Sequence, residues 1–134
     1  MKVSKKKKKK SIILPVSAPF HSSLMHKAKI YMKDKIENTD FLKPNPSIIS
    51  NVTAKEEDNI SSIKNLLTNQ ITSRVRWRES VDYMIKQGVT NFIEIGPGKV
   101  LSGLVKKINK NVNISNISSL KDIEKWSVLK IRIF

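Results

Sequence analysis

The chain has 134 residues, 26 Lys and Arg against 11 Asp and Glu, a net charge of +15 and no cysteine. That length suits one domain or part of a larger one, and the lack of cysteine excludes disulfides and thiol-based metal or redox chemistry. His21 and His26 are the only histidines, so no metal site is expected. Seven of the positive charges are Lys2 and Lys5 to Lys10, which leaves +8 for the remainder. That remainder is scattered lysine with Arg only at 74, 76, 78 and 132. It shows neither a helix-turn-helix nor an aromatic stacking platform, so nucleic acid is not the expected partner. Lysine, asparagine and isoleucine share A/T-rich codons, so genome composition alone could supply much of the charge. No apolar run approaches the roughly 20 residues of a membrane span. The basic start reaches only Ser11 to Leu14 before Pro15, too short for a signal peptide. A cytoplasmic location without a membrane partner is expected, where the Asn-X-Ser/Thr patterns at Asn51, Asn59, Asn113 and Asn116 carry no weight.

Residues 1–10 read as a Lys-rich disordered tail. Ile12 to Val16 is a strand candidate without a visible partner in the chain. Ser22 or Ser23 caps a helix through Leu24, Met25, Ala28, Tyr31, Met32 and Ile36, which fades near Asn38. Pro44 and Pro46 mark a loop, and Ser47 to Val52 reads as a strand. Ser61 or Ser62 opens a second helix through Ile63, Leu66, Leu67, Gln70 and Ile71. A third runs from Trp77 through Val81, Met84 and Ile85, with Gly88 closing it. Phe92, Ile93 and Ile95 form an apolar β-branched run suited to a covered parallel strand. Gly96, Pro97 and Gly98 then turn the chain into a helix burying Val100, Leu101, Leu104, Val105 and Ile108. A short strand follows near Val112 to Ile117, and residues 119–134 read as a terminal amphipathic helix or irregular tail. Strands alternating with helices predict an α/β fold with a parallel sheet and flanking helices, incomplete because its strands are few.

Two segments are candidates for chemistry. Gly96 and Gly98 are half of a GxGxxG and lack the Lys-Ser/Thr of a P-loop, so the turn is either a phosphate cradle or, as its residues favour, a structural joint. His21 sits between Pro19 and a helix start. A histidine there either presents one ring nitrogen as a general base or simply bonds to backbone, and the residues alone leave both readings open.

Five ordered segments carry a resemblance. They are Ser17 to Met25 (SAPFHSSLM), Ser50 to Ala54 (SNVTA), Asn69-Gln70 through Val75-Arg76-Trp77, Ser80 to Met84 (SVDYM) and Glu94 to Leu101 (EIGPGKVL). In this order and spacing the chain closely resembles the C-terminal part of the malonyl-CoA:acyl carrier protein transacylases, over residues 12–118. The resemblance implies the C-terminal portion of an α/β-hydrolase-like acyltransferase large domain. It further implies a ping-pong transfer in fatty-acid biosynthesis, from malonyl-CoA to a GxSxG serine and then to the phosphopantetheine thiol of acyl carrier protein, with no bound cofactor. His21 matches the family's catalytic histidine, and Gln70 the residue whose backbone carbonyl orients it. Asn51 lies in a motif resembling the active-site wall, and the Gly96-Pro97-Gly98 turn is structural in the family as well.

The departures matter equally. None of the 134 residues forms a GxSxG, and the family's malonate-binding arginine and oxyanion-hole glutamine have no equivalent. Arg74 replaces a common proline, so a looser helix entry is expected. Six successive lysines imply an adenine-rich run prone to slippage, at the point where the resemblance begins. The expectation is therefore the C-terminal piece of a split or frameshifted gene, inactive alone. Its rivals are a complementing subunit that works with an N-terminal fragment carrying the nucleophile, and a non-enzymatic basic protein that binds polyanions through its lysines.

Overall fold

A computed structural model describes residues 17–131, with side chains to residue 126. The lysine tail, the Ile12 to Val16 strand candidate and residues 132–134 lie outside the described residues. A 3-10 turn at Ser23–Met25 leads into α1, His26–Glu37. Ser22 does not cap it through its side chain, because its hydroxyl donates instead to the Pro19 carbonyl at 2.7 Å. The expected apolar face of α1 is largely uncovered. Leu24, Tyr31 and Met32 are exposed, while Met25, Ala28 and Ile36 are half-buried.

The strand expected at Ser47 to Val52 is corrected by the structure. Only Ile48–Ile49 (β1) is extended, pairing antiparallel with Glu56–Glu57 (β2). The chain reverses between them, with Ala54 at φ 56 and its amide donating to Ser50 O at 2.8 Å. β2 has no apolar alternation to announce it. Its Glu57 carboxylate accepts from Thr53 Oγ1 at 3.2 Å and Ser62 Oγ at 2.9 Å.

Helix α2, Ile60–Gln70, begins earlier than Ser61 or Ser62, because Asn59 Oδ1 takes the Ser62 amide at 2.9 Å. Asn is a strong N-cap because its short side chain reaches back to such an orphan donor. Lys29 at the start of α1 bonds Asn69 at the end of α2, and Lys64 of α2 reaches the end of α1, so the two helices run antiparallel. Helix α3, Trp77–Lys86, ends one residue before Gln87, and Gly88 follows at φ 91, the left-handed position that favours glycine.

β3, Asn91–Ile95, pairs in parallel with β4, Asn113–Ile117, around the crossover helix α4, Val100–Ile108. Helix α5, Leu120–Ile131, starts at a Ser-x-x-Asp cap. Ser119 Oγ donates to Asp122 at 2.8 Å while the Asp122 amide returns to Ser119, a variant of the capping box. The sheet expected to be covered is covered on one face only. Phe92 and Glu94 lie half-buried towards α4, whereas Ile93 and Ile95 on the other face are 40% and 78% exposed. Buried apolar side chains are correspondingly few among the described residues: Ala54, Ile63, Val81 and Val105. No described helix is long and apolar enough to cross a membrane.

Candidate active site

The loop before α1 places His21. The Ser22 hydroxyl bond to Pro19 and the Met25 amide bond to Ser22 O at 3.0 Å fold residues 19–25 into a tight turn. Within it His21 has φ 58, a left-handed conformation that costs a non-glycine residue about 1 kcal/mol or more.

The end of α2 supplies its partner. A helix leaves its last carbonyls unbonded. The Asn69 carbonyl is taken by the amides of Thr72 at 3.2 Å and Ser73 at 3.0 Å. The next carbonyl, Gln70 O, lies 2.9 Å from His21 Nδ1. A carbonyl only accepts, so Nδ1 carries a proton, and in the neutral ring Nε2 is the nitrogen that holds the lone pair. The Gln70 amide nitrogen, 3.2 Å from the same Nδ1, is a neighbour rather than a second donor, and it donates to Ser73 O at 3.2 Å. Among the described residues His21 Nε2 has no partner.

Asn51 belongs to the β1–β2 turn. It lines a cleft of about 110 Å³ together with Ile48, Ile49, Leu66, Leu67 and Gln70. The structure thus brings Asn51, Gln70 and His21 to one region, Gln70 being common to the cleft and the histidine. That turn is held by Arg76, whose amide donates to Asn51 O at 3.2 Å and whose guanidinium donates to Thr53 O at 3.1 Å.

No family model matches the chain. The malonyl CoA-acyl carrier protein transacylase of Bacillus subtilis is 45% identical over 116 residues, 87% of this chain and 37% of the relative. The Staphylococcus aureus enzyme of the same name is 40% identical over 119 residues, 89% of this chain and 39% of its own length. The crystal structure of the Clostridium perfringens transacylase superposes with a TM-score of 0.86 at 42% identity, over 98% of this chain and 42% of the other. The chain is similar to the C-terminal part of the malonyl-CoA:acyl carrier protein transacylases. It spans under two-fifths of the length of these curated relatives. Its fold is α/β, a partial version of theirs. A further similar structure, at 34% identity and a TM-score of 0.77 over 81% of this chain and 35% of the other, is a malonyl-transacylase in complex with a type II PKS acyl-carrier protein.

The Gly96-Pro97-Gly98 turn is built into the sheet. Gly96 N donates to Ile117 O at 2.9 Å, and Gly98 O accepts from Asn116 Nδ2 at 2.7 Å. With φ 134 and 90 the two glycines adopt angles that L side chains avoid, although a Cβ at either would meet nothing within 4 Å. They are needed for backbone angle, not for close approach. Glu94 fastens the helix behind the turn, accepting from the amides of Leu101 at 3.1 Å and Ser102 at 2.8 Å. The Ser102 side chain beside it, although its hydroxyl is in hydrogen-bonding geometry with no partner among the described residues, and then the Ser102 and Leu101 amides hold its carboxyl below the ordinary range against some desolvation.

Sequence reasoning placed Arg76 and Glu94 in motifs but gave neither a role. An Arg three residues before Glu79 at a helix start, and a lone Glu in an apolar strand ahead of a helix, were the available signals. Arg74, at the position where a looser entry was expected, donates to Glu79 at 2.7 Å in an exposed ion pair. Among the described residues no group of three His, Cys, Asp or Glu could hold a metal ion.

Proposed function

We propose that this chain supplies the histidine half of a malonyl transfer site. The observation that carries this reading is the 2.9 Å contact between His21 Nδ1 and the Gln70 carbonyl, which leaves Nε2 able to accept a proton. A serine hydroxyl brought to Nε2 would lose its proton as its oxygen attacks the malonyl thioester. The C–S bond then breaks, and the imidazolium returns the proton to the departing coenzyme A sulfur. In the second half Nε2 takes the proton of the phosphopantetheine thiol of acyl carrier protein as its sulfur attacks the malonyl-serine ester; the C–O bond breaks, and the imidazolium returns the proton to the serine oxygen, which frees the serine. No resident cofactor is needed, since malonyl-CoA and the carrier thiol are substrates. Asn51 lines the wall of the adjoining cleft, and the Gly96-Pro97-Gly98 turn is structural. The reaction places the chain among cytoplasmic fatty-acid biosynthesis proteins.

The serine is the part that the 134 residues do not contain, since none forms a GxSxG. The acyl-enzyme therefore forms on a segment outside this sequence, in the same or a separate polypeptide. Absence of a triad-type nucleophile costs on the order of 10⁶ in rate. The test incubates the purified 134-residue chain with malonyl-CoA and holo acyl carrier protein, with and without a transacylase N-terminal portion carrying GxSxG. Transfer only in the mixture, lost with His21→Ala, is the expected result. Transfer by the chain alone, or in the mixture without dependence on His21, would overturn the proposal.

A further inference from the structure

The contact between His21 and Gln70 is exposed, and an exposed hydrogen bond competes with water and holds weakly by itself. The ring keeps one tautomer only if the loop before α1 and the last turn of α2 are held at a constant distance. A slide of about 1 Å between them would carry the 2.9 Å contact beyond hydrogen-bonding range.

One bond lies where it can do this. Lys29, in the first turn of α1, donates through Nζ to Asn69 Oδ1 at 2.8 Å, in a part-buried setting. It is short and charge-assisted, the stronger kind of side-chain hydrogen bond. Asn69 directly precedes Gln70, and its own carbonyl is already occupied by Thr72 and Ser73. The side chain is thus the Asn69 group that joins α1. A second clamp closes the opposite end of the same helix pair, where Lys64 Nζ donates to the carbonyls of Glu37 at 2.9 Å and Thr39 at 2.7 Å. Lys64 is one helix turn and more from Gln70, and it binds the end of α1 remote from His21.

We propose that Lys29 and Asn69 are positioning residues that seat His21 Nδ1 on the Gln70 carbonyl and so keep Nε2 unprotonated. The inference rests on the reading of His21 as the general base, but it concerns the ring's tautomer and is tested there.

The experiment records long-range ¹H–¹⁵N correlations of the imidazoles in the full ¹⁵N-labelled chain under alkaline conditions, with His26→Gln used to assign the two rings. In the unsubstituted chain His21 Nδ1 should resonate as a protonated nitrogen. Lys29→Met and Asn69→Ala should each move it to the averaged position of a tautomer mixture. Lys29→Arg and Asn69→Asp, which keep a donor and an acceptor, should restore it, and Lys64→Met should leave it in place. The proposal is overturned if Nδ1 is not protonated in the unsubstituted chain, or if Lys29→Met and Asn69→Ala leave its proton unchanged. Loss of that proton to the same extent in Lys64→Met would also overturn it. Should the lysine variants unfold, as circular dichroism would show, the pair Asn69→Ala and Asn69→Asp decides the matter alone. Failure of the base reading is seen separately, as transfer activity that survives His21→Ala.

Discussion

His21 and Gln70 are 49 positions apart and meet through one ring nitrogen and one main-chain oxygen at 2.9 Å. The histidine contributes its side chain, whereas the glutamine contributes a carbonyl that any residue would have. This asymmetry separates two substitutions that a motif would treat alike. In a reconstituted transferase, His21→Ala should lower kcat/KM by about 10²- to 10⁴-fold, the usual worth of a general base. Gln70→Ala keeps the carbonyl and should stay within about tenfold of the parent, the size of one lost neutral hydrogen bond. Steady-state transfer kinetics on the two variants would check this, and equal losses would count against main-chain orientation.

Glu94 makes stability depend on pH. The Ser102 side chain and amide and the Leu101 amide lower its carboxyl from an ordinary value of 4.5. A carboxyl lowered in the folded state stabilises above its unfolded value, and the contribution disappears as pH falls through the folded one. Glu94→Gln should therefore melt lower than the parent at neutral pH, with the gap closing in acid below the carboxyl's folded value. Thermal melts across that range would read it, and a gap independent of pH would contradict the assignment.

Lys64 closes the end of α1 by binding the Glu37 and Thr39 carbonyls, and its ammonium lies 5.1 Å from the Phe41 ring centre. A cation at a helix C-terminus satisfies orphan carbonyls and opposes the negative end of the dipole. Lys64→Met should cost about 1 kcal/mol in urea unfolding. It should do so without altering His21-dependent transfer in the reconstituted system.

Ile93 and Ile95 expose an apolar stripe along β3, and among the described residues β3 pairs only with β4. Exposed apolar strands promote association between copies. Ile95→Lys should reduce light scattering of the isolated chain at a given concentration and leave its melting temperature nearly unchanged, because Ile95 is 78% exposed. In the mixture with an N-terminal portion the same substitution should weaken assembly. Unaltered scattering would show that this face does not drive association.

The sequence alone determined the local elements: the helices around Ile63 and Leu66, around Trp77 and Val81, and around Val105, and the strand, turn and helix joint at Gly96 to Gly98. These rest on periodicity and on backbone angles available to glycine, which are properties of neighbours in the chain. It also carried the family's five motifs, and with them the identity of His21 and Gln70 as candidates. Only the tertiary structure decided which groups meet. The β1–β2 pair was hidden because the Ser50 to Ala54 turn reverses the chain after two extended residues, and because β2 is two glutamates satisfied by side-chain partners. The Lys29–Asn69 bond, the Arg76 hold on the Asn51 turn and the His21 seat on Gln70 span 40, 25 and 49 positions. Such contacts depend on how one helix docks against another, and no periodicity along the chain encodes that distance. The same holds for exposure. Apolar spacing marks Tyr31, Ile93 and Ile95 as a face to be covered, but coverage is set by what packs against that face.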